Sequence, residues 1–314
     1  MKTTRSLVCL LFLIGIFVLT LANNTFSASE LYFIDAHSQV DHKLENLEII
    51  IQRMDKTGVY RTILAARGKL KGREITQLAE AYPGRIIAAI RTKGGAYKRN
   101  EQNYYNKLKK RSESKKYNAI AEVLMYHAQK GDIAGEVIVY PDDERVQAAL
   151  NVAIENGWPF IVHIEFAAIQ FRTRQSFMKA LEEMLDKHPE HPFALIHMGQ
   201  LEPNEARNLI EKHKNIYFLT SHADPVTVDI SNQPWVNMFE DHAFTPEWKE
   251  LMIQYSDRFI FAIDNVWAEH WNDYYIEKME YWGKAISDLP DKVAHAIAHG
   301  NAERLWKIPA KGSK

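Results

Sequence analysis

Short apolar runs that are rich in β-branched residues recur along the chain, and most of them are followed by a stretch with helical periodicity. Such runs are typical of buried parallel strands, because a strand that is covered on both faces needs apolar side chains at successive positions. The pattern predicts eight strands, at residues 31–36, 60–65, 86–91, 133–139, 160–163, 193–197, 216–220 and 259–263.

The segment 142–156 shows how the intervening helices are marked. Carboxylates fill its first turn, apolar residues recur at Val146, Leu150 and Ile154, and Gly157 follows as a stop signal. Eight strand–helix units within about 285 residues fit one (β/α)8 TIM barrel in number and size. We therefore predict an α/β fold with a single barrel domain over residues 30–314. A doubly wound open sheet is the alternative, but the sequence lacks the Gly-rich turn that binds dinucleotides.

The first 29 residues have the organisation of a secretory signal peptide. Lys2 and Arg5 precede an apolar stretch at 7–21, and small or polar residues follow it. The apolar stretch is short for a membrane-spanning helix. Cleavage after Ala22 or after Ser29 fits the small-residue rule, and an uncleaved N-terminal anchor is the alternative. We expect an exported protein, periplasmic or secreted, without stable membrane association once the signal peptide is cleaved.

Composition and charge narrow the function. The 314 residues carry a formal net charge of −1 and contain one cysteine, Cys9, which lies within the predicted signal peptide. The near-neutral charge provides no basic field for a nucleic acid partner. A single cysteine excludes a disulfide framework and a cysteine-based zinc site. The expected partner is therefore a small-molecule substrate, and a homodimer is left open.

Residue types that bind metals stand at the ends of several predicted strands. His37 and Gln39 are two residues apart at the end of the first strand, His163 ends the fifth, His197 ends the sixth, and Asp264 follows the eighth. Because the carboxyl ends of barrel strands converge at one mouth, these side chains should meet there. Imidazole nitrogens and carboxylate oxygens are common ligands of divalent metals, so the pattern predicts a metal-dependent active site.

Three motifs surround these residues: FIDAHSQ in the first strand, PEWKELMIQYSDRFIFAIDN around the eighth, and GNAERLW near the C-terminus. Together they resemble the amidohydrolase superfamily, and within it the amidohydrolase-2 branch that includes aminocarboxymuconate-semialdehyde decarboxylase-like enzymes. The resemblance implies a divalent metal ion, with zinc favoured over manganese or another ion, held by His37, His163 and Asp264. His197 is implied as a further ligand or as a general acid or base. Asp264 is implied as the group that takes a proton from the attacking water.

The chain departs from the family pattern at Gln39. The resemblance implies a His-x-His pair in the first strand, and the second histidine of that pair is here a glutamine. The carbonyl oxygen of Gln39 can bind a metal, but it is a poorer zinc ligand than imidazole. In the predicted fourth strand, Glu136 resembles the position where other branches place a carboxylate or carbamylated lysine ligand. Glu136 is therefore a candidate metal ligand, or a residue that orients one.

Three further residues are candidates for substrate binding. Arg67 and Arg91 follow the second and third predicted strands, where they could clamp a substrate carboxylate. His222 follows the seventh strand and should face the same mouth. We expect a metal-dependent hydrolase in which a metal-activated water attacks an amide, ester or lactone of a small molecule. The alternatives are a decarboxylase of an aromatic or muconate-like acid, and a catalytically inactive barrel that binds a ligand.

Overall fold

Strands followed by helices make up the chain, as the apolar pattern predicts. The structure, a computed structural model, describes residues 31–132, 134–231 and 233–313, which belong to one compact unit. The predicted signal peptide, residues 1–29, lies outside the described residues.

The strands are short and the helices are longer. The strands are β1 (Phe33–Val40), β2 (Val59–Ala66), β3 (Ile86–Ile90), β4 (Ala119–Ile120), β5 (Val123–His127), β6 (Val137–Ile138), β7 (Phe160–Ile164), β8 (Phe193–Leu195), β9 (Ile216–Leu219), β10 (Phe239–Glu240), β11 (Ala243–Phe244) and β12 (Phe259–Ile260). The helices are α1 (Glu48–Thr57), α2 (Gly72–Ala81), α3 (Gly95–Lys98), α4 (Gln102–Glu113), α5 (Glu144–Asn156), α6 (Phe171–Lys187), α7 (Pro203–Lys212), α8 (Pro225–Ser231), α9 (Pro246–Gln254), α10 (Asp273–Ser287), α11 (Asp291–His295) and α12 (Asn301–Trp306). Within the described parts of the chain, none of these helices has the length and apolar character that crossing a bilayer requires.

The strands form two main sheets, ordered β1–β2–β3–β4 and β12–β9–β8–β7–β5–β6. Neighbouring strands in these sheets pair in parallel except β5 and β6. At one edge the Ala36 amide of β1 donates a hydrogen bond to the Phe261 carbonyl oxygen (3.0 Å), just after β12. At the other edge β4 leads into β5 after two residues. The strands thus surround a common interior, and the predicted α/β class with parallel strands is confirmed.

Alternate residues of the strands pack on opposite faces. Ile63 and Ala65 of β2 belong to a smaller apolar cluster, which also contains Trp306 of α12. Leu64, between them, belongs to the larger cluster that the strands form with the helices. The strands are therefore apolar on both faces, as parallel strands covered by helices must be.

The prediction of a barrel strand at residues 133–139 was wrong. The parallel strand lies earlier, in β4 and β5, and Val137–Ile138 pairs antiparallel with β5. Ile138 is 49% exposed, so this β-branched stretch forms an outer hairpin rather than a buried strand. The true strand was obscured because a carboxylate, Glu122, interrupts its apolar run.

The helix predicted at 142–156 is confirmed as α5. The side chain of Asp143 caps its N-terminus by accepting a hydrogen bond from the Arg145 amide, which satisfies one of the free N–H groups of the first turn. Gly157 ends the helix with a φ of 65°, in the left-handed region that glycine adopts without steric cost.

Asp35 fastens β1 to the segment that follows β12. Its buried carboxyl group accepts hydrogen bonds from the Ile263 amide (2.9 Å), the His37 amide (3.3 Å) and the Ser38 hydroxyl (2.5 Å). Burial raises the pKa of Asp35 to about 7, although these hydrogen bonds act in the opposite direction. The folded protein therefore favours the protonated carboxyl group more than the unfolded chain does.

We expect Asp35→Asn to change how stability depends on pH. The folded-state pKa of about 7 lies above the ordinary value of 3.8, so the protonated group stabilises the fold below about pH 4, and this contribution is lost as the pH rises towards 7. Between about pH 4 and pH 8 the wild type should lose on the order of a few kcal/mol relative to the variant. Urea unfolding with a chelator present measures this difference, with Asp257→Asn, at an exposed carboxylate, as the control. A difference that does not vary with pH would contradict the prediction.

Candidate metal centre and active-site cavity

Five buried side chains meet where the carboxyl ends of the parallel strands converge. His37 lies in β1, Glu122 between β4 and β5, and His163 in β7, while His197 follows β8 and Asp264 follows β12. Each of the five is at most 4% exposed. Their convergence is a consequence of topology, because parallel barrel strands all end on the same side.

Glu122 is shared by two groups of ligand atoms. His163 Nδ1 lies 2.5 Å from Glu122 Oε2, and His37 Nε2 lies 3.7 Å from Glu122 Oε1. Asp264 Oδ1 lies 3.6 Å from His37 Nε2, and Asp264 Oδ2 lies 3.7 Å from His197 Nε2. The ligand atoms of His37, Glu122 and Asp264 all lie within 4.8 Å of one another, as do those of Glu122, His163 and His197. Each group is compact enough to hold one divalent cation.

Two of these side chains stand on backbone that residues other than glycine seldom adopt. His197 has a φ of 56° and Asp264 a φ of 49°. The Asp264 amide donates a hydrogen bond to the His37 carbonyl oxygen (2.9 Å), which ties the turn after β12 to β1. Left-handed conformations of this kind cost about 1–3 kcal/mol and persist where the surrounding structure fixes them. Tertiary contacts, rather than the local preference of the backbone, thus determine the direction of both side chains.

Gln39 joins the two carboxylates. Its amide nitrogen donates hydrogen bonds to Glu122 Oε1 (2.9 Å) and to Asp264 Oδ1 (2.8 Å). The indole N–H of Trp271 donates to the backbone carbonyl oxygen of Gln39 (3.0 Å) and so fixes the strand at this point. In this arrangement the donor nitrogen of the amide, which is not a metal ligand, faces the carboxylates.

Burial and charge pairing set the protonation states. Burial alone would raise the pKa of Glu122, but its ion pair with Lys93 and the neighbouring His163 hold this pKa well below the usual range. Burial lowers the pKa of both His197 and His222, and the charge of His163 lowers that of His197 further. At neutral pH the carboxylate is therefore ionised and these two imidazoles are neutral, which are the forms that bind metals.

The donor set fits a divalent metal ion. His37 is fully buried, yet among the described residues neither of its ring nitrogens has a hydrogen-bond partner. A buried polar atom without a partner lowers the stability of the fold, and a cation bound by one of the two His37 nitrogens would satisfy that nitrogen. Imidazole nitrogens combined with carboxylate oxygens are ligands that both zinc and manganese accept.

A neighbouring polar group orients His163. His163 Nε2 lies 3.0 Å from Glu165 Oε1, and Lys130 Nζ lies 2.5 Å from the same oxygen. Burial would raise the pKa of Glu165, but His163 and Lys130 lower it to about 2. The ligand atoms of His127, His163 and Glu165 also lie within 4.8 Å of one another. Because carboxylates contact both of its nitrogens, the His163 ring is held in one orientation.

Four of the five converging side chains, those of Glu122, His163, His197 and Asp264, border a cavity of about 260 Å³. Aromatic rings form part of its wall, from Trp235, Trp267 and Tyr274. Four cationic side chains line the same space: Arg67, Lys93, Lys130 and Lys278. A concave site with apolar walls and a few convergent polar groups is suited to a small organic molecule.

The structure brings most of the predicted site residues together. The groups of ligand atoms that could hold a metal ion contain His37, His163, His197 and Asp264, and Gln39 lies against their carboxylates. His222 stacks on His197, with ring centroids 4.2 Å apart, and its Nε2 lies 3.2 Å from the Asp264 carbonyl oxygen. Arg67 lines the cavity, and its guanidinium lies 4.1 Å from the centre of the Trp267 ring.

Two predicted residues lie elsewhere. Arg91 is outside the cavity wall, and its guanidinium donates to two backbone carbonyl groups (2.8 and 2.9 Å). Glu136 is exposed and accepts a hydrogen bond from the Tyr126 hydroxyl (3.0 Å). Glu122 takes the place expected for Glu136, because the parallel strand precedes the hairpin that carries Glu136.

The sequence held a signal for Glu122 that the strand prediction overlooked. Glu122 is the single charged residue in the run AIAEVLMY, residues 119–126. A carboxylate within a run that is buried on both faces is costly unless it is paired, so it marks a candidate functional position. Lys93 and Lys278 offered no comparable signal, since each lies in a segment of mixed polarity.

Replacing Glu122 should remove the metal site. After reconstitution with zinc and removal of excess metal, we expect at least one ion per chain in the wild type and a large loss in Glu122→Ala, because Glu122 belongs to both ligand groups. Inductively coupled plasma mass spectrometry measures the metal content. Glu136→Ala is the matched control and should bind metal as the wild type does. Equal metal content in the two variants would show that Glu122 is not a ligand.

The sequence matches a family model described as Amidohydrolase over residues 132–308, which is more than half of the chain. A second model, for a protein of unknown function (DUF3627), matches residues 35–121. No curated protein matches the chain at a significant level. The matched amidohydrolase region contains His163, His197 and Asp264.

Several solved structures share the fold. An uncharacterized TIM-barrel protein from Bordetella bronchiseptica is 15% identical, with a TM-score of 0.54 and 84% of each chain covered. A putative amidohydrolase from Staphylococcus aureus is 13% identical, with a TM-score of 0.54, and covers 88% of this chain and 100% of its own. Dihydroorotase from Campylobacter jejuni is 14% identical, with a TM-score of 0.51, and covers 90% and 85%. These likenesses show the fold, and the family match establishes that the chain belongs to the amidohydrolase family.

Proposed function

We propose that the protein is a metal-dependent hydrolase that acts on an amide, ester or lactone bond of a small molecule. The observation that carries this proposal is the convergence of three imidazoles and two carboxylates, joined through Glu122, at the cavity. Membership of the amidohydrolase family supports it.

The residues divide into two ligand groups. His37, Glu122 and Asp264 would hold one divalent ion, and Glu122 with His163 and His197 would hold a second. When bound, a divalent ion supplies Lewis acidity towards a carbonyl oxygen and makes water more acidic. Zinc is the favoured ion and manganese the alternative. Both ions accept imidazole and carboxylate ligands.

Asp264 is the group to which we assign the proton transfer. Its carboxylate borders the cavity and lies 3.6–3.7 Å from ring nitrogens of His37, His197 and His222. A carboxylate in this position can take a proton from an attacking water and pass it to the leaving group.

His197 is the second group assigned to the chemistry. The Ser221 hydroxyl lies 3.0 Å from His197 Nδ1, and the opposite nitrogen, Nε2, faces Asp264. Because burial lowers the pKa of His197, its imidazole is neutral at pH 7 and can accept a proton or a metal. Gln39 acts as a positioning residue, since its amide bridges two carboxylates that would otherwise repel each other.

Decarboxylation of an aromatic or muconate-like acid is the second candidate. The observation that favours it is the set of four cationic side chains that line the cavity, since such a lining suits an acid. A catalytically inactive barrel that binds a ligand is the third reading, and it would follow if the protein bound no metal and turned over no substrate.

Asp264→Asn should abolish turnover while the fold is kept. Asparagine preserves the shape of the side chain and tolerates the positive φ of Asp264, but it cannot take a proton. We expect a rate loss of about 100-fold or more on whichever member of a panel of esters, lactones and amides the zinc-loaded wild type hydrolyses. Release of carbon dioxide from aromatic acids, assayed in parallel, identifies the decarboxylase.

The control for this variant is Asp257→Asn, which changes an exposed carboxylate and should keep wild-type turnover. Circular dichroism checks that both variants are folded. Undiminished turnover in Asp264→Asn would remove Asp264 from the proton transfer.

We also propose that residues 1–29 direct export and are then removed. In a bacterial host the protein outside the cytoplasm should begin at Asn23 or Glu30, which intact mass measurement can determine. Leu13→Arg interrupts the apolar stretch and should keep the full-length chain inside the cell. Full-length protein on the membrane would instead support an uncleaved anchor.

A further inference from the structure

The cationic side chains that line the cavity differ in whether they have an ionic partner. Lys93 is paired with Glu122, and Lys130 is paired with Glu165. Among the described residues, the side chains of Arg67 and Lys278 form no ion pair and no hydrogen bond with a protein group. Within the described residues neither cation thus has a direct ionic partner, although the carboxylates of Glu122, Asp264 and Asp41 act on Arg67 over longer distances.

Lys278 is the more unusual of the two. It lies in α10, it is fully buried, and its ammonium group has no hydrogen-bond partner in the part of the chain that the structure describes. Its Nζ lies over the face of the Tyr274 ring, one helical turn earlier, 5.0 Å from the ring centre. Burying an ammonium without a counter-charge is strongly unfavourable, and an anion from outside the chain would compensate it.

Arg67 and His270 face the same region. The Arg67 guanidinium carbon lies 4.1 Å from the centre of the Trp267 ring, and its Nε is buried without a partner among the described residues. His270 Nδ1 accepts a hydrogen bond from the Val266 amide (3.1 Å), so its proton is on Nε2 and is free to be donated. Burial, with the nearby charges of Lys278 and Arg67, lowers the pKa of His270 to about 3. The charges of Lys278 and Arg67 therefore both favour the neutral form of the His270 imidazole, which lies in the cavity wall.

We propose that Lys278 and Arg67 bind a carboxylate group of the substrate in this cavity. His270 supplies a further N–H donor to this carboxylate. The inference rests on the proposed function in naming the occupant a substrate, and it narrows the substrate class to small carboxylic acids that carry the reacting bond elsewhere. A single carboxylate, rather than a phosphate dianion, matches the available donors, because Lys93 and Lys130 are already paired. The aromatic wall formed by Trp267 and Tyr274 suits an apolar or aromatic body.

The test compares benzoate with benzamide, which have the same ring and differ in charge. Isothermal titration calorimetry is done on the full chain freed of metal with a chelator, so that direct binding of carboxylate to a metal does not contribute. We expect benzoate to bind wild type at least tenfold more tightly than benzamide. Lys278→Met, which keeps the length of the side chain, should lose this preference without changing the affinity for benzamide, and Lys278→Arg should retain most of it.

Lys284→Met is the matched control, because Lys284 is an exposed lysine of the same helix. It should bind benzoate as wild type does. Lys278→Met should also have an unchanged or higher Tm than the wild type, since it removes an uncompensated buried charge. A lower Tm together with unchanged discrimination would assign Lys278 a structural role.

Three results would overturn the proposal: equal affinity of the wild type for benzoate and benzamide, undiminished benzoate binding by Lys278→Met, or tighter binding of phenyl phosphate than of benzoate. Metal content measured on the same preparations separates this inference from the proposed function. Benzoate preference in a protein that cannot be loaded with metal would contradict the hydrolase and leave the anion site in place. Metal loading without benzoate preference would contradict only the anion site.

Discussion

The hydrogen-bonded contact between β1 and the segment after β12 is the constraint on which the site depends. The Asp35 carboxyl group accepts a hydrogen bond from the Ile263 amide, and the Asp264 amide donates one to the His37 carbonyl oxygen. These bonds join the first and last parallel strands beside the candidate metal ligands. Asp264, at this contact, has a left-handed backbone with a φ of 49°. Without this contact, His37 and Asp264 would lie at opposite edges of an open sheet, because β1 and β12 are edge strands in the strand order. Closure of the strands is therefore a condition of the chemistry as well as of the fold.

Charge compensation organises the rest of the cavity. Glu122 and Asp264 are held side by side by the Gln39 amide, and Lys93 partly offsets the charge of Glu122. His197 remains neutral because it is buried beside other positive groups. The part of the cavity lined by Glu122 and Asp264 thus suits a cation, whereas an anion is what we propose for the wall that carries Lys278. A molecule with a polar bond to be cleaved at one end and a carboxylate at the other would match both ends.

Much of the site could be anticipated because strand ends are local features of the sequence. His37, His163, His197 and Asp264 each follow or end an apolar run, and the barrel rule then places them at one mouth. Glu136 was assigned to the site wrongly, because a β-branched stretch forms an outer hairpin as readily as a buried parallel strand. The pairing with other strands decides which of the two forms. The prediction that Arg91 lines the cavity was wrong, because a long side chain beyond a strand can turn towards backbone carbonyl groups instead.

The sequence by itself determined the α/β class, the succession of strands and helices, and most of the metal-binding residue types, because apolar periodicity and strand-end polarity are encoded within each segment. Only the tertiary structure decided that Glu122 is the central carboxylate and that Gln39 directs its amide nitrogen towards Glu122 and Asp264. It also decided that Lys278 has no hydrogen-bond partner within residues 31–132, 134–231 and 233–313. Each of these facts concerns groups from elements distant in the chain. Pairing and burial depend on the distances between such groups, and those distances exist only once the strands have closed.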